Sequence, residues 1–138
     1  VGMDQYMEDI YANVKKSKWG QKVNFLGAKS HSESMAYLKS SQALVFPTLF
    51  EGFGLPLLEA MALEVPTLSS NINSLPEVGG DTVRYFEPES VEQIEAELLN
   101  VFEGKYPLEL VEKAAERASK FQWSHTAEAI LKDEEYRV

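Results

Sequence analysis

The residues whose types and spacing could do chemistry lie between positions 48 and 63. Thr48-Leu49-Phe50-Glu51-Gly52-Phe53-Gly54 is a loop with two glycines, and Leu55 to Leu63 reads as a helix behind it. Pro56 suits the first turn of that helix, where a missing N–H costs nothing. Gly52 and Gly54 let backbone N–H groups come close to a ligand. A helix N-terminus beyond them offers unpaired N–H groups and the positive end of a dipole, which favour an anion such as phosphate. Glu51 stands at the mouth of the loop, and Glu59 follows eight residues later, about one turn into the helix. Two carboxylates would repel a bare phosphate. They suit hydroxyl groups, because an ionised carboxylate accepts two hydroxyl hydrogen bonds at once. Hydroxyls beside a diphosphate describe a nucleotide sugar, with the sugar on one side and the ribose on the other. The same residues also fit a glycine-rich turn before a core helix that carries two surface glutamates. The dinucleotide-binding glycine pattern is not met, since Leu57 stands where its third glycine belongs. Phe53, between two loop glycines, has little core to enter and is expected to face a ligand or gate the loop.

Such a loop needs strands and helices to hold it. From Asp4 to Lys16 the apolar residues Tyr6, Met7, Ile10, Tyr11 and Val14 recur at helical spacing. Val23-Asn24-Phe25-Leu26 reads as a short strand closed by Gly27. Ser30 and Glu33 fit a capping box for a second helix. Ala43 to Phe46 is an apolar run bounded by Pro47, predicting a strand buried on both faces. After the loop and its helix come a strand at Pro66–Ser69, a helical turn at Leu75–Val78 and a strand at Val83–Phe86. Ser90 and Gln93 form another capping box, Gly104 stops the helix it starts, and a further helix runs from Pro107 to about Phe121. Ser124 is expected to cap a final helix reaching about Tyr136. Short apolar strands alternating with helices predict an α/β domain, with a mainly parallel sheet of about four short strands flanked by helices. In an open sheet of this kind, ligands bind beyond the carboxyl ends of the strands, which is where the loop after Phe46 falls.

Composition narrows the functions further. The 138 residues are one domain's worth of chain. There are no cysteines and two histidines, far apart at His31 and His125, so a thiolate or histidine metal site is not expected. Both histidines read as surface residues. Trp19, Phe121 and Trp123 read as packing anchors. No apolar run approaches the ~20 residues a membrane helix needs. The first ten residues hold three acids and no base, and do not read as a signal peptide. The net charge of -9 is uneven: +2 over residues 1–46, -4 over 47–86 and -7 over 87–138. That acidic balance argues against non-specific binding to nucleic acid or to a membrane surface.

Glu51-Gly52-Phe53-Gly54-Leu55-Pro56-Leu57-Leu58-Glu59-Ala60-Met61-Ala62 resembles the E-x7-E motif of retaining GT-B glycosyltransferases of family 4, also called group 1. Val23 to Gly27, Ala43 to Pro47, Val65 to Asn71, Leu75 to Val78, Gly80-Asp81 and Phe121 to Ser124 resemble the segments around that motif in the same family. Asn71 to Val78 is similar to mannosyltransferase-like members. The resemblance implies a partial Rossmann-like domain, the C-terminal, donor-binding part of a GT-B enzyme. It implies that Glu51 contacts donor-sugar hydroxyls and supports charge at the reacting centre. The N–H groups around Gly52, Phe53, Gly54 and Leu55 would hold the sugar and the distal phosphate. Glu59 would bind the ribose, and the backbone near Leu26 and Gly27 would meet the nucleobase. The full enzyme would move a hexose from a nucleotide diphosphate sugar to a carbohydrate or lipid-linked acceptor, with retention and without a metal or other cofactor. A cytoplasmic location is expected, the inner membrane surface being an option for the full enzyme.

This sequence departs from the family in ways that carry expectations. The Arg- and Lys-bearing strand and loop that clamp the diphosphate have no match in residues 1–22, and the N-terminal acceptor domain has none either. The chain alone is therefore expected to be inactive, with that N-terminal domain as its partner. A non-catalytic fragment serving as an interaction or assembly module is the alternative. A missing central strand predicts that Val23–Leu26 and Ala43–Phe46 either pair directly or self-associate through exposed edges. Leu63-Glu64 stands where small residues, often glycine-like, are usual.

Overall fold

A computed structural model describes residues 3–132, which divide into two compact units, one up to His31 and one from Ser32 onwards. Val1-Gly2 and the expected last turn at 133–136 lie outside the described residues.

The first unit is helix α1, Met3–Lys16, followed by turns and an extended segment. The basic pair Lys15 and Lys16 closes α1, complementing its dipole. The Tyr11 and Phe25 rings meet edge to face with centroids 4.3 Å apart. Val23–Leu26 is not a strand. Val23, Phe25 and Leu26 are 41%, 44% and 45% exposed. A strand exists only through a neighbour that takes its N–H and C=O groups, and this segment joins no ladder among the described residues.

The second unit opens inside α2, His31–Lys39, whose first residue closes the first unit, and continues with β1, Leu44–Phe46, and α3, Leu55–Ala62. Then come β2, Thr67–Ser70, α4, Leu75–Gly79, and a 3-10 turn at Gly80–Thr82. β3, Arg84–Phe86, α5, Val91–Phe102, α6, Leu108–Ala118, and α7, Trp123–Lys132, complete it. The three strands form one parallel sheet in the order β1-β2-β3, with Val45 opposite Leu68 and Ser69 opposite Tyr85. The α/β class and parallel sheet agree with the sequence; the sheet has three strands rather than about four.

β2 is central and wholly buried, whereas β1, expected to be buried on both faces, is half-buried because it forms the sheet's edge. Side chains of a strand alternate between its faces, and the two cores follow from that. On one face Leu57, Met61, Leu75, Val78, Val83, Ala114 and Ala118 join α3, α4 and α6, with Phe46 and Tyr85 packed against them. On the other, Leu68, Phe86 and Tyr106 gather Val45, Ile94, Leu98 and Val101 under α5. Tyr106 also serves the backbone of β2: its Oη accepts from Thr67 N at 3.2 Å and donates to Thr67 O at 3.3 Å.

Caps set the helix ends. Ser90 Oγ accepts from Gln93 N at 3.3 Å, as its capping box requires. The Gln93 side chain instead reaches Glu87 N, at 2.9 Å, because Ser90 N is already bonded to Glu87 O. Ser124 is not the cap of α7, which begins one residue earlier at Trp123. Among the described residues no helix is long and apolar enough to cross a membrane.

Candidate functional site: the loop before helix α3

β1 ends at Phe46, and the chain leaves the sheet at Pro47 because proline cannot donate to a ladder. A short turn follows in which Thr48 Oγ1 donates to Phe50 O at 2.8 Å. Leu49 and Phe50 project to solvent, 68% and 84% exposed. Glu51 is half-buried, and its Oε1 accepts from Gly52 N at 3.0 Å. The two glycines then differ in why they are glycine. Gly54 caps α3 in the left-handed region, at φ 91°, and a Cβ there would lie 2.5 Å from Leu75 Cδ2. At Gly52 a Cβ would meet open space. The fold itself demands glycine at 54 and not at 52.

Pro56 lies in the first turn of α3, and the N–H groups of Leu57 and Leu58 both turn back to Gly54 O, at 3.0 and 3.3 Å. The N–H groups of Phe53, Gly54 and Leu55 meet no protein acceptor among the described residues. They form a row of donors at the positive end of a helix. Glu59 stands four residues after Leu55, hence about 6 Å along the axis on the same side of the helix. The core side of α3 is Leu57, Ala60 and Met61. Glu51, Gly52, Phe53, Gly54, Leu55 and Glu59 are thus assembled on one loop and one helix face. Leu26 and Gly27 belong to the first unit, where Gly27 has φ 64°.

Several neighbours of the loop are not evident from the sequence. Asn73 Nδ2 donates to Glu51 O at 3.3 Å, and Leu75, fully buried, packs on Gly54. Phe53, 45% exposed, meets Phe121 edge to face with centroids 6.1 Å apart. A cavity of about 190 Å³ opens between Phe53, Leu55 and Leu58 on one side and Phe121, Trp123 and His125 on the other. Trp123 is 81% exposed and Trp19 53%, so neither is the packing anchor its size suggests. Trp19 instead lies beneath Lys18 and Lys22, whose Nζ atoms are 5.0 and 5.2 Å from its ring centroid.

A parallel sheet whose edge strand runs through a loop into a helix at its carboxyl end defines an open-sheet α/β domain, the kind that binds ligands at that end of its strands. The chain belongs to the glycosyl transferases group 1 family, whose pattern matches residues 1–121. It is 37% identical over 95 residues to the O-antigen chain mannosyltransferase B of Escherichia coli, which covers 67% of this chain and 25% of that protein. A serotype-specific mannosyltransferase of Escherichia coli is 37% identical over 108 residues, 78% of this chain and 13% of its own length. Glycogen synthase of Mycobacterium tuberculosis is 31% identical over 120 residues, 84% of this chain and 29% of the enzyme. The chain spans less than a third of the length of these relatives.

Proposed function

We propose that the chain is the donor-binding part of a retaining glycosyltransferase, holding a nucleotide diphosphate hexose for transfer to a carbohydrate or lipid-linked acceptor. One observation carries this reading: the N–H groups of Phe53, Gly54 and Leu55, which meet no protein acceptor among the described residues, stand at the start of α3 between Glu51 and Glu59 in the sequence. The donors suit the distal phosphate, where negative charge grows as the sugar departs, and they act without a metal. Glu51 accepts hydroxyls of the sugar and supports positive charge at its reacting carbon. Glu59 accepts the ribose hydroxyls. Gly52 leaves open space beside the loop, room for a sugar to approach the backbone. The mannosyltransferase names among the relatives favour mannose as the sugar.

The acceptor site and the basic diphosphate clamp are proposed to come from other parts of a longer cytoplasmic enzyme, so that this chain alone binds donor without transferring it. The open edge at β1 is proposed as the place where the chain associates with another strand.

Calorimetric titration with GDP-mannose, UDP-glucose and the matching nucleoside monophosphates tests the assignment. Hydrogen bonds to charged groups contribute about 1.5–3 kcal/mol, or roughly 10- to 100-fold in affinity. Glu59→Gln is expected to weaken nucleotide and nucleotide sugar alike by that order. Glu51→Gln is expected to weaken the nucleotide sugar alone. Equal losses from both variants for every ligand would remove the separate roles of the two glutamates.

A further inference from the structure

We infer that Asn73 is a positioning residue for Glu51, holding the donor loop in its binding shape from across the site. Asn73 lies in the loop between β2 and α4 and adopts the left-handed conformation, at φ 49°. A non-glycine residue held there costs free energy, and asparagine tolerates the conformation better than most. The cost is offset by a contact: the side-chain amide donates to the main-chain carbonyl of Glu51 at 3.3 Å, 22 residues away. Two residues further on, the Leu75 side chain fills the space that the missing Cβ of Gly54 leaves. One short segment therefore touches the loop at both ends of Glu51-Gly52-Phe53-Gly54.

That segment is itself anchored. Arg117 of α6 donates from Nε to Val78 O and from Nη2 to Glu77 O, each at 2.6 Å, fixing the end of α4. Tyr85 Oη donates to Leu75 O at 3.2 Å, fixing its beginning. The loop of β1 and α3 makes few bonds of its own, since among the described residues the N–H groups of Phe53, Gly54 and Leu55 meet no protein acceptor. It is shaped from outside, by Asn73 and Leu75. The importance of Asn73 for donor binding rests on the donor-site reading; its role as a strut for the loop does not.

Asn73→Gly is the informative variant, because glycine keeps the left-handed backbone and removes only the amide. Nitrogen-15 relaxation of the ligand-free chain should give order parameters near about 0.85 for Gly52, Phe53 and Gly54, falling below about 0.6 in N73G. Those of Val78 and Leu57 should not change. GDP-mannose should bind N73G about fivefold more weakly, as expected for one neutral hydrogen bond, while GMP, which lacks the sugar that Glu51 meets, should bind unchanged. Asn73→Asp, which keeps the shape and loses the donor, should behave as N73G does. Unchanged order parameters in N73G overturn the strut. Equal weakening of GDP-mannose and GMP also overturns it, since a general loss of structure would act on both. Should the native chain bind neither probe, the donor-site reading fails, and the order parameters still decide the role of Asn73.

Discussion

At the residue scale, two glycines two positions apart are predicted to behave differently. Gly54→Ala places a Cβ against Leu75 in a left-handed backbone, and chemical unfolding should show a loss of about 2 kcal/mol or more. Gly52→Ala puts its Cβ into open space and should change stability by less than about 0.5 kcal/mol. Its effect should fall on donor binding, which calorimetry reads. Glu64 makes the opposite case. It occupies the position after the C-cap of α3, at φ 59°, inside a closed motif in which Glu64 N meets Met61 O and Val65 N meets Ala60 O. Glycine is the residue that position favours, so Glu64→Gly should raise stability by about 0.5–1 kcal/mol in urea unfolding. The mismatch of Leu63-Glu64 with glycine-like residues is visible in the sequence. The strain it signifies became visible with the backbone angle.

At the element scale, the loop before α3 takes its shape from elements that its own sequence does not name. The two glutamates, the glycines and the helix start are legible because local rules govern them: spacing, glycine freedom and proline in a first turn. Asn73 and Leu75 are not, because a contact across 22 residues leaves no local pattern. The strand at Val23–Leu26 failed for a related reason: an apolar run predicts a willingness to pair, and pairing needs a neighbour. β2 was legible as a strand, yet its support by Tyr106 from beyond α5 was not. Tyr106→Phe should leave the Thr67 N–H, in a residue only 1% exposed, without its partner. The expected loss is about 1–3 kcal/mol in thermal or urea unfolding. A stability equal to the native chain's would mean that another group takes that N–H.

At the scale of the whole molecule, the α/β layering was legible from the alternation of apolar runs and helical stripes, and the acidic balance from composition alone. Burial leaves a pH signature. Burial pushes the Tyr85 hydroxyl from 10.0 up to about 12, against an opposing pull from Arg117, and it raises Tyr106 as well. The unfolded chain loses these protons near 10.0, while the folded chain keeps that of Tyr85 to about 12. The contribution of Tyr85 to stability is therefore fully present below pH 10.0 and should be lost as pH rises towards about 12, so that stability falls more gently there in Tyr85→Phe, as urea midpoints across that range would show. The central claim, that the loop before α3 holds a nucleotide sugar, is tested most directly by titrating the native chain with GDP-mannose and UDP-glucose while following its amide resonances. Saturable shifts concentrated at Gly52, Phe53, Gly54, Leu55 and Glu59 are expected. Resonances that stay fixed at millimolar ligand, or that move only elsewhere on the chain, would contradict that claim.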